Sequence, residues 1–177
     1  MDNIHSTIGY HGLPREYVAG SISSQTIHES TKNNEWLGRG VYFFQYLDHA
    51  KWWITHERYK GRETAILQAQ LTYSDEQLLD LDNPSERKSL DDFFRSVLSQ
   101  PELLHDKLSL PDNPTMKQKW CFACNFIRLL KPEIGIIIYT FPRPQEKSNL
   151  YPSNQRQICV SQNSIISDIK EVNLQIC

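Results

Sequence analysis

Two short motifs that combine glycine with aromatic and polar side chains are the best candidates for chemistry in this 177-residue sequence. The first is Tyr10-His11-Gly12, and the second is Gly38-Arg39-Gly40-Val41-Tyr42-Phe43. Aromatic rings bind flat ligands through their faces, and glycine lacks a Cβ atom, which allows the backbone to approach a ligand closely. Taken singly, a Tyr-His-Gly segment is usually the end of a strand, and Gly-x-Gly is usually a turn. In combination they favour a ligand site.

The order and context of the two motifs resemble the diphtheria-toxin and poly(ADP-ribose)-polymerase type of ADP-ribosyltransferase, which carries a His-Tyr-Glu triad. His11 matches the histidine in an identical His-Gly context, and Tyr42 matches the tyrosine. The resemblance covers the N-terminal third well and the rest of the chain in strand order. It implies a single domain over residues 1–177 with an α+β fold, in which helices flank a split antiparallel β-sheet core. It also implies NAD⁺ as a co-substrate, without a metal.

The resemblance further implies a role for each motif residue. Tyr42 stacks under the flat, cationic nicotinamide ring, and the backbone at Gly12 meets the carboxamide. His11 hydrogen-bonds a hydroxyl of the adenosine ribose. Two glycines turn the backbone beside the ligand, and the arginine between them reaches a phosphate. The residues expected to contact NAD⁺ are Tyr10, His11, Gly12, Gly38, Arg39, Gly40, Tyr42 and Phe43.

The third position of the triad falls on Gln157, where the family has its glutamate near the C-terminus. A glutamine hydrogen-bonds a ribose hydroxyl, but it gives no charge to a developing oxocarbenium ion and is no base. A register shifted by two residues puts the family's glutamate at Cys159, so neither register supplies a carboxylate. Glu133 and Glu146 are the nearest carboxylates elsewhere, and a solvated surface position is the more ordinary interpretation of both.

The resemblance therefore implies an enzyme that cleaves NAD⁺ and transfers ADP-ribose to a macromolecule, with His11, Tyr42 and Gln157 as its catalytic residues. The acceptor is RNA, DNA or protein, and a base amine suits Gln157 because it needs little help with deprotonation. A small domain of this type resembles bacterial toxins of toxin–antitoxin or anti-phage systems, which implies an antitoxin as a partner. Two alternatives stay open: a catalytically weak NAD⁺- or ADP-ribose-binding module, and an NAD⁺ glycohydrolase.

The composition is that of a soluble globular protein, with 39% hydrophobic and 23% charged residues. A net charge of −2 gives no global attraction to nucleic acid or to anionic membranes, so a nucleic-acid acceptor needs a local basic patch. Arg143, Lys147 and Arg156 are candidates for such a patch. No apolar stretch is long enough to span a membrane, and no signal peptide is recognisable at the start. The sequence predicts a cytoplasmic protein, or one secreted without an N-terminal signal.

Cysteine, histidine and acidic residues show no ligand set for a metal. Cys121 and Cys124 form a C-x-x-C pair, but they lie in an amphipathic helical segment without a second pair, which favours packing in the core. Asp80 and Asp82 are interpreted as caps after a short strand. The histidines without ligand spacing are His49, His56 and His105.

Hydrophobic periodicity predicts the elements that position these residues. Strands are predicted at residues 7–11, 38–44, 64–73, 78–81, 134–141, 157–161 and 170–177, the fifth apolar on both faces and therefore central. Helices are predicted at residues 14–19, 50–59 with Asp48 as the N-cap, 83–98 and 116–130. Residues 21–34 are predicted to be a mobile loop, residues 101–114 a linker and residues 143–154 a functional loop.

Overall fold

The structure is a computed structural model that describes residues 3–59, 61–99, 110–142 and 154–173 of the chain. Its strands are β1 (Ile4–Pro14), β2 (Val41–Phe44), β3 (Thr64–Ser74), β4 (Leu78–Asp80), β5 (Ile136–Pro142), β6 (Asn154–Val160) and β7 (Ile166–Glu171). Its helices are α1 (Val18–Ser24), α2 (Leu47–Trp53), α3 (Pro84–Ser99) and α4 (Met116–Leu130). Short 3₁₀ turns lie at Arg15–Tyr17, Asp75–Gln77 and Asn163–Ile165, and a π-helical turn at Ile54–Arg58.

Within the described residues, the strands form one sheet in the order β4-β5-β6-β2-β1-β3-β7. Neighbouring strands are antiparallel except for β4 and β5, which are parallel. The α+β class expected from the sequence is therefore confirmed. β1 pairs with β3 along its full length, but with β2 at a single register position, Tyr10 opposite Phe44. The sheet is thus nearly divided between β1 and β2.

Apolar side chains on both sides of the sheet form the core. On one side, Phe43 of β2 and Leu67 of β3 have no exposed surface, and burying a side chain of this size stabilises the fold by about 1.5–3 kcal/mol. On the other side, α3 and α4 cover the half of the sheet that contains β5. Ile136 and Ile137, which point to opposite faces, are both fully buried, which confirms that β5 is an interior strand.

The boundaries of α4 follow from its capping residues. Thr115 and Gln118 form a capping box at its start. The helix ends at Leu130, because Pro132 disfavours helical backbone in the residue before it. Cys121 and Cys124 are free thiols on the buried face of this helix, so the packing role predicted for them is confirmed. Among the described residues, no helix combines the length and apolar character that crossing a bilayer requires.

Two predictions near the ends of elements are wrong. Asp48 is not the N-cap of α2, because the helix begins at Leu47 after an extended Tyr46, and Asp48 instead pairs with Lys51 within the first turn. Residues 21–24, predicted as loop, belong to α1, which ends at Gln25 in the left-handed conformation. The Gln25 side chain then hydrogen-bonds both backbone groups of Ile169, which ties this segment to β7.

The last described strand, Ile166–Glu171, begins four residues before the strand predicted at residues 170–177, and residues 172–173 are not part of it. A register shift against β3 and a positive φ at Asp168 interrupt the strand. Its buried residues, Ile166 and Ile169, are therefore three positions apart. This spacing differs from the two-residue alternation by which a strand is recognised in a sequence. Residues 174–177 lie outside the described residues.

Candidate functional site

A cavity of about 600 Å³ opens where β1, β2 and β6 meet. This volume lies within the usual range for small-molecule sites. Four of the residues expected to contact NAD⁺ or to act in catalysis line the cavity, namely His11, Gly40, Tyr42 and Gln157. They come from β1, from the loop before β2, from β2 and from β6.

His11 is held in one tautomer by the neighbouring strand. Its Nδ1 lies 2.7 Å from the carbonyl oxygen of Tyr42, and because a carbonyl only accepts, Nδ1 carries the proton and donates it. Burial lowers the pKa of His11 below its usual value, and the charge of Arg58 adds to this, against the opposing effect of the hydrogen bond. His11 is therefore neutral at neutral pH, with Nε2 as an acceptor.

The hydroxyl of Tyr42 is fully engaged by the loop before β2. It donates to the carbonyl of Gly38 at 2.7 Å and accepts the N–H of Leu37 at 2.9 Å. Burial raises the pKa of Tyr42 well above its usual value, and the nearby Cys159 and Glu35 add to this effect. The phenol stays neutral and fixed, so what it offers to a ligand is the face of its ring.

The glycines of the second motif are required by the backbone. Gly38 has a φ of 82° and Gly40 a φ of 149°, conformations that side-chain-bearing residues rarely adopt. A Cβ atom at Gly40 would lie 2.6 Å from the carbonyl oxygen of Val160 and 2.7 Å from the Sγ of Cys159. Gly40 thus lets the loop lie directly against β6. A Cβ at Gly38 would lie 2.5 Å from Oδ1 of Asn125, so this glycine lets the loop lie against α4 while its carbonyl accepts the hydroxyl of Tyr42.

The other residues expected to contact NAD⁺ do not line the cavity. A Cβ at Gly12 would lie 2.2 Å from Cγ2 of Ile54, so this glycine makes room for the π-helical turn. Phe43 is fully buried, and its ring meets the edge of His11 at 5.8 Å between centroids. Tyr10 packs in the cluster around α2, and the N–H of Arg39 donates to Asn125 on α4.

Gln157 is placed on β6 between Phe44 of β2 and Tyr139 of β5. Two residues earlier on the same face, Gln155 also lines the cavity. It is only 5% exposed, and its Nε2 has no hydrogen-bond partner within the described chain. Two residues later, Cys159 has no exposed surface, and burial raises the pKa of its thiol. The alternative register therefore puts the third triad position inside the protein.

Glu35 is a cavity residue that the sequence did not reveal. It is 9% exposed, and its Oε1 accepts hydrogen bonds from Ser30 Oγ at 2.7 Å and Arg58 Nη1 at 3.2 Å. Arg58 comes from the π-helical turn, and its guanidinium lies 5.6 Å from the centre of the Trp53 ring. The charged partner of Glu35 lies 23 residues away in the sequence, so nothing in its own segment could have marked it.

An aromatic wall lies at the β5 side of the cavity. The ring of Trp36 packs against that of Phe141 at 5.3 Å and against that of Trp120 at 6.4 Å. Lys117 on α4 places its ammonium 5.9 Å from the Trp36 ring. The only sequence signal for this wall is a tryptophan within an otherwise polar stretch.

Most of the remaining sequence candidates lie elsewhere. Arg156 is ion-paired with Asp80 at 3.5 Å and Asp82 at 3.4 Å, so its charge is already compensated. Asp82 also accepts hydrogen bonds from Thr140, and Glu133 is exposed at the surface. The described residues contain no group of three or more His, Cys, Asp or Glu side chains that could hold a metal ion. Candidates outside the described residues are His105, Arg143, Glu146, Lys147 and Cys177.

Comparison with known proteins provides little guidance on activity. The chain is similar to an uncharacterized protein of Methanocaldococcus jannaschii, with 27% identity over 197 residues that cover 99% of this chain and 91% of the other. No family model matches the sequence. No solved structure matches it. A function for this protein must therefore be argued from the site itself.

Proposed function

We propose that this protein is an ADP-ribosyltransferase that binds NAD⁺ in the cavity, cleaves the nicotinamide–ribose bond and transfers ADP-ribose to a macromolecule. One observation carries the proposal. His11, Tyr42 and Gln157, which match the family's triad positions by motif order, line the same cavity although they come from three different strands. The near division of the sheet between β1 and β2 fits the split sheet that this family implies.

The state of each residue suits the role proposed for it. The ring of Tyr42 is fixed and neutral, so its face can stack on the cationic nicotinamide. Nε2 of His11 accepts a hydrogen bond from a ribose hydroxyl. Nε2 of Gln155 is buried and has no hydrogen-bond partner among the described residues. Buried polar groups in native proteins normally have partners, so this nitrogen is suited to donating to a ligand.

The reaction is proposed to be dissociative. Nicotinamide leaves with the electron pair of its bond to C1′, and the ribose passes through an oxocarbenium-like state that the acceptor then captures. Gln157 hydrogen-bonds the reacting ribose without adding charge. We propose nucleic acid or protein as the acceptor, with a base amine favoured. A role as a cytoplasmic toxin with an antitoxin, or in anti-phage defence, belongs to the same proposal and rests on the resemblance alone.

A second candidate is an NAD⁺- or ADP-ribose-binding module without catalysis. The uncharged Gln157 favours it, because a carboxylate normally supplies a large electrostatic contribution at this position. An NAD⁺ glycohydrolase, with water as the acceptor, is the remaining alternative, and the same pocket would serve it.

Incubation with adenine-labelled NAD⁺, with and without cell lysate, tests these functions together. We expect release of nicotinamide and label in macromolecules, and sensitivity of the label to nuclease or protease identifies the acceptor. Tyr42→Ala removes the stacking ring, whereas Tyr17→Ala, at an exposed position away from the cavity, serves as the control. Release without labelled macromolecules indicates hydrolysis. Binding of NAD⁺ without release of nicotinamide indicates the non-catalytic module. If the protein does not bind NAD⁺ at all, the proposed function and both alternatives are wrong.

A further inference from the structure

The carboxylate of Glu35 has one oxygen anchored and the other open. Both of its side-chain hydrogen bonds, from Ser30 and Arg58, go to Oε1. Oε2 accepts no hydrogen bond from any described residue, although the side chain is 11% exposed and faces the cavity. An ionised carboxylate oxygen accepts hydrogen bonds and does not donate them, so the open Oε2 is suited to receiving a hydrogen from a bound molecule.

The loop that carries Glu35 is tied to Tyr42. The carbonyl of Glu35 accepts the N–H of Gly38 at 3.4 Å. In the same turn, the N–H of Leu37 donates to the hydroxyl of Tyr42, and the carbonyl of Gly38 accepts from it. The carboxylate therefore keeps a fixed position relative to the ring that is proposed to hold nicotinamide. The cavity side of β6 contributes Gln157, which has no charge.

The other carboxylates at the cavity differ from Glu35 in their exposure. Glu29 and Glu57 also line the cavity, but both are exposed to solvent, whereas Glu35 is buried. A charge acts more strongly where water is excluded, because the effective dielectric constant is lower there. Among the described residues, Glu35 is thus the cavity carboxylate best placed to act on a bound substrate.

We propose that Glu35 is the catalytic base of the transfer reaction, supplied by the loop before β2 in place of the carboxylate missing at position 157. This inference rests on the proposed ADP-ribosyl transfer. When the bond between nicotinamide and C1′ breaks, its electron pair neutralises nicotinamide. The acceptor's lone pair then forms a bond to C1′, and the acceptor's proton passes to Oε2 of Glu35, from which it is lost to solvent.

The alternative is that Glu35 serves only to hold Arg58 and the loop. Glu35→Gln separates the two roles, because the amide oxygen can still accept the hydrogen bonds of Ser30 and Arg58 but cannot take a proton at neutral pH. Glu35→Ala removes the group altogether and leaves space that a small carboxylate such as formate can enter. Glu63→Gln, at an exposed position outside the cavity, is the matched control.

The experiment measures nicotinamide release from adenine-labelled NAD⁺ and the transfer of labelled ADP-ribose to macromolecules in cell lysate. The NAD⁺ dissociation constant and the melting temperature of each variant are measured alongside. A general base contributes about 10²–10⁴-fold, so we expect Glu35→Gln to slow the transfer of labelled ADP-ribose to macromolecules by at least about 100-fold. Its NAD⁺ affinity should stay within about threefold of the wild type, a difference of under 1 kcal/mol. Formate should restore part of the rate to Glu35→Ala and should leave Gln157→Ala unchanged.

Three results would overturn the inference, and they are distinguishable. If the wild type labels macromolecules and Glu35→Gln labels them equally fast, Glu35 is not the base, while the proposed function stands. If Glu35→Gln loses NAD⁺ binding or stability in proportion to its activity, its role is to position the loop. If the wild type releases no nicotinamide although it is folded, the proposed function fails and this inference fails with it.

Discussion

The hydroxyl of Tyr42 should matter for folding, and its ring should matter for ligand binding. Tyr42→Phe removes the hydroxyl and keeps the ring, whereas Tyr42→Ala removes both. In the wild type the hydroxyl satisfies the N–H of Leu37 and the carbonyl of Gly38, in a loop that lies against α4 at Gly38 and against β6 at Gly40. The two substitutions therefore separate two functions that one side chain performs.

The size of the effect follows from the two hydrogen bonds. Leaving a buried donor or acceptor unsatisfied costs about 1–3 kcal/mol, and Tyr42→Phe leaves one of each. Leu37 and Gly38 are both buried, so little water can replace the lost partner. We expect the free energy of unfolding to fall by about 2–6 kcal/mol. For a chain of this size, that corresponds to a decrease in melting temperature of roughly 4–24 °C.

Urea denaturation and calorimetry of the wild type, Tyr42→Phe and Tyr17→Phe measure this effect. Tyr17 is 51% exposed, so its substitution should change stability by less than about 0.5 kcal/mol. Titration with NAD⁺ below the melting temperature should then show that Tyr42→Phe binds within about tenfold of the wild type. Tyr42→Ala should bind much more weakly, because the stacking face is gone.

Two outcomes would refute this reasoning. If Tyr42→Phe is as stable as the wild type, the backbone groups of Leu37 and Gly38 find other partners, and the hydroxyl does not hold the loop. If Tyr42→Ala retains the NAD⁺ affinity of Tyr42→Phe in folded protein, the ring is not a stacking surface.

Three further predictions concern the same cavity. Gln157→Ala should lower the rate of nicotinamide release more than it weakens NAD⁺ binding; equal effects on kcat and on the dissociation constant would assign Gln157 to binding alone. Gly40→Ala should destabilise the protein by about 1–3 kcal/mol through backbone strain and the contact with Val160, and an unchanged melting temperature would contradict the loop geometry. The folded pKa of His11 is lowered, so the unfolded chain binds more protons just below the unfolded pKa of about 6.5. The contribution of His11 to the free energy of unfolding should therefore be fully present above that pH and be lost as the pH falls toward the folded pKa. In urea denaturation at several pH values, His11→Asn should remove this part of the pH dependence of stability.

The elements that the sequence predicts best have strong local signals. β3 alternates clearly, β5 is an uninterrupted apolar run, and α4 has a capping box at one end and a proline after the other. The elements that it misses depend on contacts between distant segments. The bulge in β7 exists because of its pairing with β3, and the π-helical turn packs where Gly12 leaves room. Such features have no periodicity of their own.

The candidate site shows the same distinction. His11 and Tyr42 lie within short motifs of recognisable order, and that order indicates that they share a site. Glu35 and Gln155 carry no such motif, and their interest arises only from burial. Glu35 is paired with Arg58 of the π-helical turn, and Gln155 lies on an interior strand. Whether a polar residue is buried depends on the tertiary structure, which one segment of sequence does not contain.

The place where the cavity forms also explains why its residues have structural and ligand-binding roles at once. β1 and β2 share one register pair and then separate, which leaves a gap in the sheet at that point. The side chain of His11 crosses this gap to the carbonyl of Tyr42, on the side of β2 opposite to its pairing with β6. One ring nitrogen thus connects the two halves of the sheet, and the other remains available to a ligand. Substituting His11 should therefore weaken both the junction of the sheet and the proposed NAD⁺ site, whereas Gln157, on a strand paired on both sides, should affect only the latter.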